Sequence, residues 1–317
     1  MKKALSVILA AILCLSMAST AALAAEDLTL GTAATTGTYY FVGAAIGNTV
    51  SKYSDALEVL VISTAGGVEN IRLITTGEIQ VGMANADALF DAYNGQNTFA
   101  EVGKMPILGL AALYPSVSHM MVRANSGIKS WADLKGKKVC LGTAGSSHTV
   151  ASKALLALYG INWETDIEAY YLTTGEMCTM LSDGDIDAAF LVGGAPVSGV
   201  TNACATAQLD LLDIDEEVMD AMIEQLPYFT KSTIPADTYP GISHSVNAVA
   251  LTTCFFVNAN MSEDAAYEFV KAMMENVPDF AEANASCKYI KDASVTQLPI
   301  EIHPGAAKYY REKGWIE

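Results

Sequence analysis

The sequence predicts an α/β protein built of two similar lobes. Short β runs alternate with helical patterns, the arrangement recurs in the same order in the second half, and two longer β runs fall where strands would cross between lobes. A cleft between such lobes, facing the carboxyl ends of strands, is where α/β folds take small ligands.

The first half reads as three strand–helix units. Leu28–Ala33 is a strand ending in a Gly-rich turn, and a helical pattern follows from Tyr39 to Tyr53. Glu58–Ile62 is a second strand, then Ser63-Thr64-Ala65-Gly66-Gly67 leads into a helix carrying Ile71, Leu73 and Ile74, closed by Gly77. Ile79–Ala84 is a third strand.

The second half mirrors the first. Val139–Ala144 corresponds to Leu28–Ala33, Ile167–Leu172 to the Val59 strand, and Gly184–Phe190 to Gly77–Met83. Gly142 follows Gly31 by 111 residues and Gly184 follows Gly77 by 107. Between the halves, Ile107–Leu113 and His119–Ala124 read as two strands broken at Tyr114-Pro115-Ser116, and Val246–Val257 is a long strand after the second half. Ser262 is the expected cap of a late helix. This reading puts residues 25–118 and 246–317 in one lobe and 119–245 in the other.

Half of the 317 residues are apolar, which is enough for a sizeable core. The N-terminus has the plan of an export signal. Met1-Lys2-Lys3 is basic, Ala4–Ala18 is apolar but short for a membrane span, and Ala22-Leu23-Ala24 offers a cleavage site after Ala24. An uncleaved anchor or a lipid attachment at Cys14 are the alternatives, the second disfavoured by Leu13. Removing residues 1–24 leaves 16 basic residues against 35 acidic, a net −19. That excess argues against nucleic acid and anionic lipid as partners, and no later apolar run is long enough for membrane insertion. Five scattered cysteines, Cys140, Cys178, Cys204, Cys254 and Cys287, leave free thiols and one or two disulfides both open. Neither they nor the four histidines have metal-ligand spacing, so no metal or cofactor is expected.

Three Gly/Ser/Thr loops at strand–helix junctions are the candidate binding elements. They comprise Thr36 and Gly37 with Tyr39 behind them; Thr64, Ala65, Gly66 and Gly67; and Thr143, Gly145, Ser146 and Ser147. A helix start presents unpaired N–H groups and partial positive charge, suited to a carboxylate or phosphate, and glycine lets the ligand approach the backbone. Each loop taken alone is also what a turn and cap require. Thr174 occupies the corresponding loop of the second half, and Tyr114 and Tyr239 are further cleft candidates. Arginines are few: Arg72 is expected to pair with Glu69 or Glu78, and Arg123 to form an ion pair at the crossing. Gly67→Asp is expected to abolish binding while sparing the fold. Ser146-Ser147-His148 lacks the GxSxG elbow of a hydrolase, and no dinucleotide or P-loop fingerprint occurs. An enzyme would need a cleft acid or base such as Glu69, Asp87 or Glu176.

Thr36–Tyr40, Ser63–Leu73, Ala112–Pro115, Ser130–Lys137 with Gly142–Ser146, Ile234–Gly241 and His303–Tyr310 together resemble the TAXI-type solute receptors of TRAP transporters. The resemblance implies a type II periplasmic-binding-protein fold and an extracytoplasmic receptor without enzymatic activity. It also implies a membrane permease partner driven by an ion gradient, and a small solute such as glutamate, a related amino acid or a dicarboxylate. The chain departs from the pattern at Phe41, where proline is common, at Asn85-Ala86-Asp87, and at Ala195 within Gly193-Gly194-Ala195-Pro196. Asn85, Asp87, Gly194 and Pro196 therefore join the expected binding residues. A sensor with the same fold is the alternative.

Overall fold

A computed structural model describes residues 25–317, so the export signal expected at 1–24 lies outside the described residues. The first unit comprises β1 (Glu26–Gly31), α1 (Thr38–Tyr53), β2 (Leu57–Ile62), α2 (Gly67–Thr76), β3 (Val81–Asn85) and α3 (Ala86–Asn94). The long strand β4 (Ile107–Arg123) follows. The second unit comprises β5 (Lys138–Cys140), α4 (Ser147–Leu158), β6 (Glu168–Tyr170), α5 (Thr174–Asp183), β7 (Ala188–Gly193) and α6 (Ser198–Thr206). Then come β8 (Leu209–Leu211), α7 (Glu216–Gln225), β9 (Thr230–Ile234) and the second long strand, β10 (Val246–Asn258). Helices α8 (Glu263–Glu275), α9 (Val277–Phe280) and α10 (Pro304–Glu312) complete the order.

The strands join in the order β2-β1-β3-β10-β4-β7-β5-β6, with β8 on β4 and β9 on β10. In each half three parallel strands are flanked by one long antiparallel strand: β2-β1-β3 by β10, and β6-β5-β7 by β4. The duplication seen in the sequence is thus a duplication of topology. The pairing of β4 changes at Val117, from β10 before it to β7 after it.

The expected break at Tyr114-Pro115-Ser116 does not occur, and β4 runs through it. Pro115 has no N–H for the ladder, but it faces Thr252 beside a register shift at Thr253/Cys254, where an irregularity absorbs the missing bond. Both long strands are almost wholly buried, which explains their continuous apolar runs.

Helix packing follows the apolar spacing. Val42, Ile46 and Val50, four residues apart on α1, are fully buried beside Leu28, Leu30 and Phe269. Trp131, Phe190 and Leu155 lie in the core of the second half. Gly77 closes α2 in the left-handed conformation, and Ser262 caps α8 by accepting from the Ala265 N–H at 3.1 Å. The five cysteines among the described residues are all free. No described helix is long and apolar enough to cross a membrane.

Candidate functional site

The carboxyl ends of all six parallel strands open onto one cavity of about 100 Å³. Six helices begin around it, and the residue preceding each of α1 to α6 lies in its wall: Gly37, Gly66, Asn85, Ser146, Thr173 and Val197. Of these, only Thr173 caps its helix with its own side chain. At α3 the Asp87 carboxylate takes the Ala88 N–H, and at α6 the Thr36 carbonyl takes that of Gly199, so the starts of α1, α2 and α4 are the ones that leave first-turn N–H groups without such an acceptor. No Lys, Arg, Asp or Glu lines the cavity. The available attraction for an anion is therefore backbone N–H groups, hydroxyls and helix dipoles.

The loops are held by a buried amide. Asn70, inside α2, donates through Nδ2 to the carbonyls of Gly31, Thr32 and Met83 at 3.1, 2.8 and 2.9 Å, tying together the ends of β1 and β3. Its Oδ1 bonds the Thr64 hydroxyl at 2.8 Å, and that hydroxyl accepts from the Gly66 N–H at 3.0 Å. The Glu69 carboxylate accepts from the Ala65 N–H. Tyr39 donates to Asn85 Oδ1 at 2.7 Å, which also accepts from Thr253 at 3.0 Å. Burial raises the Tyr39 phenol well above its ordinary range, so it stays a donor.

Gly37, Tyr39, Thr64, Ala65, Gly66, Gly67, Asn85, Thr143, Ser146, Ser147 and Thr174 line the cavity, as expected from the loops. Thr36, Asp87, Tyr114, Gly145, Gly194, Pro196 and Tyr239 do not. Tyr114 and Tyr239 are core residues, 2% and 1% exposed. Tyr239 supports the site from behind. Its hydroxyl accepts from the Val197 N–H at 2.9 Å and donates to His119 Nε2 at 2.8 Å, while His119 Nδ1 donates to the Val117 carbonyl at 2.8 Å. Gly145 turns away in a left-handed conformation with open space around it. Pro196 lies beyond the wall, next to Val197.

Thr36 and Gly194 join the two halves instead. The Thr36 carbonyl accepts from the Ser198 hydroxyl at 2.8 Å and the Gly199 N–H at 3.3 Å, and Thr38 donates to the Gly194 carbonyl at 2.8 Å. A side chain at Gly194 would meet Ser286, Tyr114 and Thr38 within 3 Å, so glycine permits that approach. Asp87 sits one hydrogen bond behind the wall and accepts from Ser147 at 2.7 Å.

Thr38, from the first loop, also lines the cavity, and the residues not read as binding from the sequence include His148, Thr173, Val197 and the β7 end Leu191–Gly193. Their signal was available only as adjacency to helix starts and strand ends. His148 Nδ1 is buried without a partner, and burial holds its imidazole down at about 4, hence neutral. Ser147 donates to Asp87 and not to His148, so the adjacent pair is not a nucleophile and its base.

Three further expectations are corrected. Neither Arg72 nor Arg123 forms an ion pair among the described residues: Arg72 is exposed, and Arg123 packs over Gly184. Glu69 is turned to Ala65 instead. A Cβ on Gly67 would stand 2.9 Å from Ala84 Cβ and 3.0 Å from Ala84 Cα, so Gly67→Asp disturbs the packing on β3 and does not spare the fold.

Comparison with known proteins agrees with this architecture. A protein of Escherichia coli strain K12 named for aliphatic sulfonate binding is 36% identical over 81 residues, 26% of this chain and 25% of that one. The chain thus matches about a quarter of that relative's length. The alkanesulfonate-binding protein SsuA from Xanthomonas axonopodis pv. citri, bound to MOPS, superposes with a TM-score of 0.51 at 17% identity, covering 81% of this chain and 72% of its own. SsuA from Escherichia coli gives 0.51 at 16% identity, covering 90% and 78%. The ligand-binding component of an ABC-type import system from Staphylococcus aureus gives 0.54 at 10%, covering 92% and 93%. These likenesses show the periplasmic-binding-protein fold. The NMT1-like family model matches residues 30–314, nearly the whole described chain, and the protein belongs to the NMT1-like family.

Proposed function

We propose that the protein is an extracytoplasmic solute receptor that closes on a small organic anion and presents it to a membrane transporter. The observation that carries this is the convergence of helix starts on one cavity that has no charged side chain in its wall, those of α1, α2 and α4 with first-turn N–H groups that no side chain accepts. A carboxylate or sulfonate headgroup satisfies those N–H groups, and Leu191, Val192 and Val197 give its carbon part an apolar wall. The cavity has room for on the order of seven water-sized groups, which favours a small solute. Sulfonate binding by the similar proteins and the carboxylate ligands of TAXI receptors are both compatible with this wall. The TAXI-like motifs favour a TRAP permease as the partner; the family likeness to SsuA favours an ABC-type partner. The receptor acts without turnover.

A thermal-shift screen of carboxylates, amino acids and alkanesulfonates tests the reading. A solute at a hundredfold excess over its Kd adds about 2.7 kcal/mol of stability. No shift with any class sinks it. Pull-down of candidate permease subunits by the loaded receptor separates the two transporter types, and chemical change of a bound solute, followed by NMR, would point to an enzyme instead.

A further inference from the structure

We propose that Asp87 is a positioning residue that couples closure of the two halves to uptake of a proton, so that an anionic solute is held more tightly as the solution is acidified. This rests on the receptor reading above. Asp87 is the second residue of α3 and is 3% exposed. Its Oδ1 accepts from the hydroxyl of Ser147, 60 residues away at the start of α4 and in the cavity wall, at 2.7 Å. The bond therefore joins the two halves directly behind the site.

No cation faces the carboxylate; the Ser147 hydroxyl, the Ala88 and Asp87 N–H groups and the start of α3 offset its charge only in part. Asp87 takes part in no ion pair among the described residues. The groups that sense or oppose its charge are Asp91 on its own helix, Tyr39 on α1 and Tyr228 ahead of β9. His148, next to Ser147 on α4, is neutral. Burial raises the Asp87 carboxyl from 3.8 to about 6, against the opposing pull of the Ser147 and Ala88 donors.

The sign follows from linkage. Opening withdraws Ser147 and admits water, so the carboxyl returns towards 3.8. An acid whose pKa is higher in the closed state favours that state as pH falls, with the gain growing from about pH 6 down to about pH 4. Neutralising Asp87 also removes a negative charge from behind an anion site.

Ethanesulfonate and lactate are suitable probes because each keeps one negative charge from pH 5 to pH 8. With a closed-state value of about 6, wild-type Kd should fall about tenfold from pH 8 to pH 5. Asp87→Asn, which mimics the protonated acid in both the open and the closed form, should give a flat profile and bind at pH 8 more tightly than wild type does at pH 5. Ser147→Ala removes a donor that holds the carboxyl charged, so its midpoint should move upward; it also serves if Asp87→Asn does not fold. A slope in Asp87→Asn equal to the wild-type slope, or a Ser147→Ala midpoint unchanged or lower, overturns the proposal. Without solute, Asp87→Asn should lie closer to the closed form than wild type at pH 8, read as a smaller radius of gyration in X-ray scattering, and the difference should shrink at pH 5. A difference equal at both pH values also overturns it. If neither probe binds to any variant while this ligand-free difference appears, the receptor's solute class is at fault and the titration of Asp87 is not.

Discussion

Gly66→Ala isolates the backbone geometry on which the anion site depends. Gly66 has φ +108° and ψ −161°, a region essentially confined to glycine. A methyl group there meets only Ala33 Cβ, at 4.0 Å, so steric crowding by neighbours contributes nothing. The cost is conformational, about 1–3 kcal/mol. At about 2–4 °C per kcal/mol for a chain of this size, melting should fall by roughly 2–12 °C if the loop keeps its shape. If the loop relaxes, the N–H groups at the start of α2 turn away from the cavity. Hydrogen bonds to a charged group contribute about 1.5–3 kcal/mol, so affinity should then fall by about ten- to a hundredfold. Differential scanning calorimetry and titration with the best solute from the screen measure the two outcomes together. A variant that keeps both its melting temperature and its affinity would refute the assignment of this loop to the site.

Asn70→Ala removes the amide donor shared by the Gly31, Thr32 and Met83 carbonyls, of which Thr32 keeps the Thr64 hydroxyl, and should destabilise by about 2–6 kcal/mol in urea unfolding, at roughly 1–3 kcal/mol for each of the other two. Tyr39→Phe keeps the ring but removes the donor to Asn85, and should weaken binding by about 1 kcal/mol in a titration. Burial holds His119 down at about 4, below the ~6.5 of an unfolded chain, so its contribution is complete above pH 6.5 and lost as pH falls through 4. His119→Gln should therefore flatten the loss of stability between pH 6.5 and 4, a slope worth on the order of 3 kcal/mol in wild type. Equal slopes in the two proteins would exclude His119 as its source.

Much of the architecture was legible because parallel strands buried on both faces read as short apolar runs, and glycine at 77 and 184 marks helix ends. The loops were legible because helix starts use a small set of residue types. What escaped depended on pairing across long distances. Pro115 reads as a break locally, and only the irregularity in β10 opposite makes it tolerable. Tyr239 looks like a cleft tyrosine until His119 and Val197 claim its hydroxyl. Asn70 looks like a polar helix position, yet it is fully buried against three strand-end carbonyls. Asp87 was read as a contact to solute, and the structure places it one bond away.

The position of β10 in the sheet bears on how the chain is made. β10 is inserted between β3 and β4, yet it is translated more than 120 residues after either. Until residues 246–258 emerge, β3 presents an open edge, and α1 lacks Phe269 and the other α8 residues that share its core. The second half contains its own β5–β7 sheet and β4 by then. A nascent chain stalled before residue 246 is therefore expected to be sticky at the β3 edge. Fragments ending there should aggregate, and a circular permutant that begins at β10 should bring β10 and α8 to the first sheet early in synthesis.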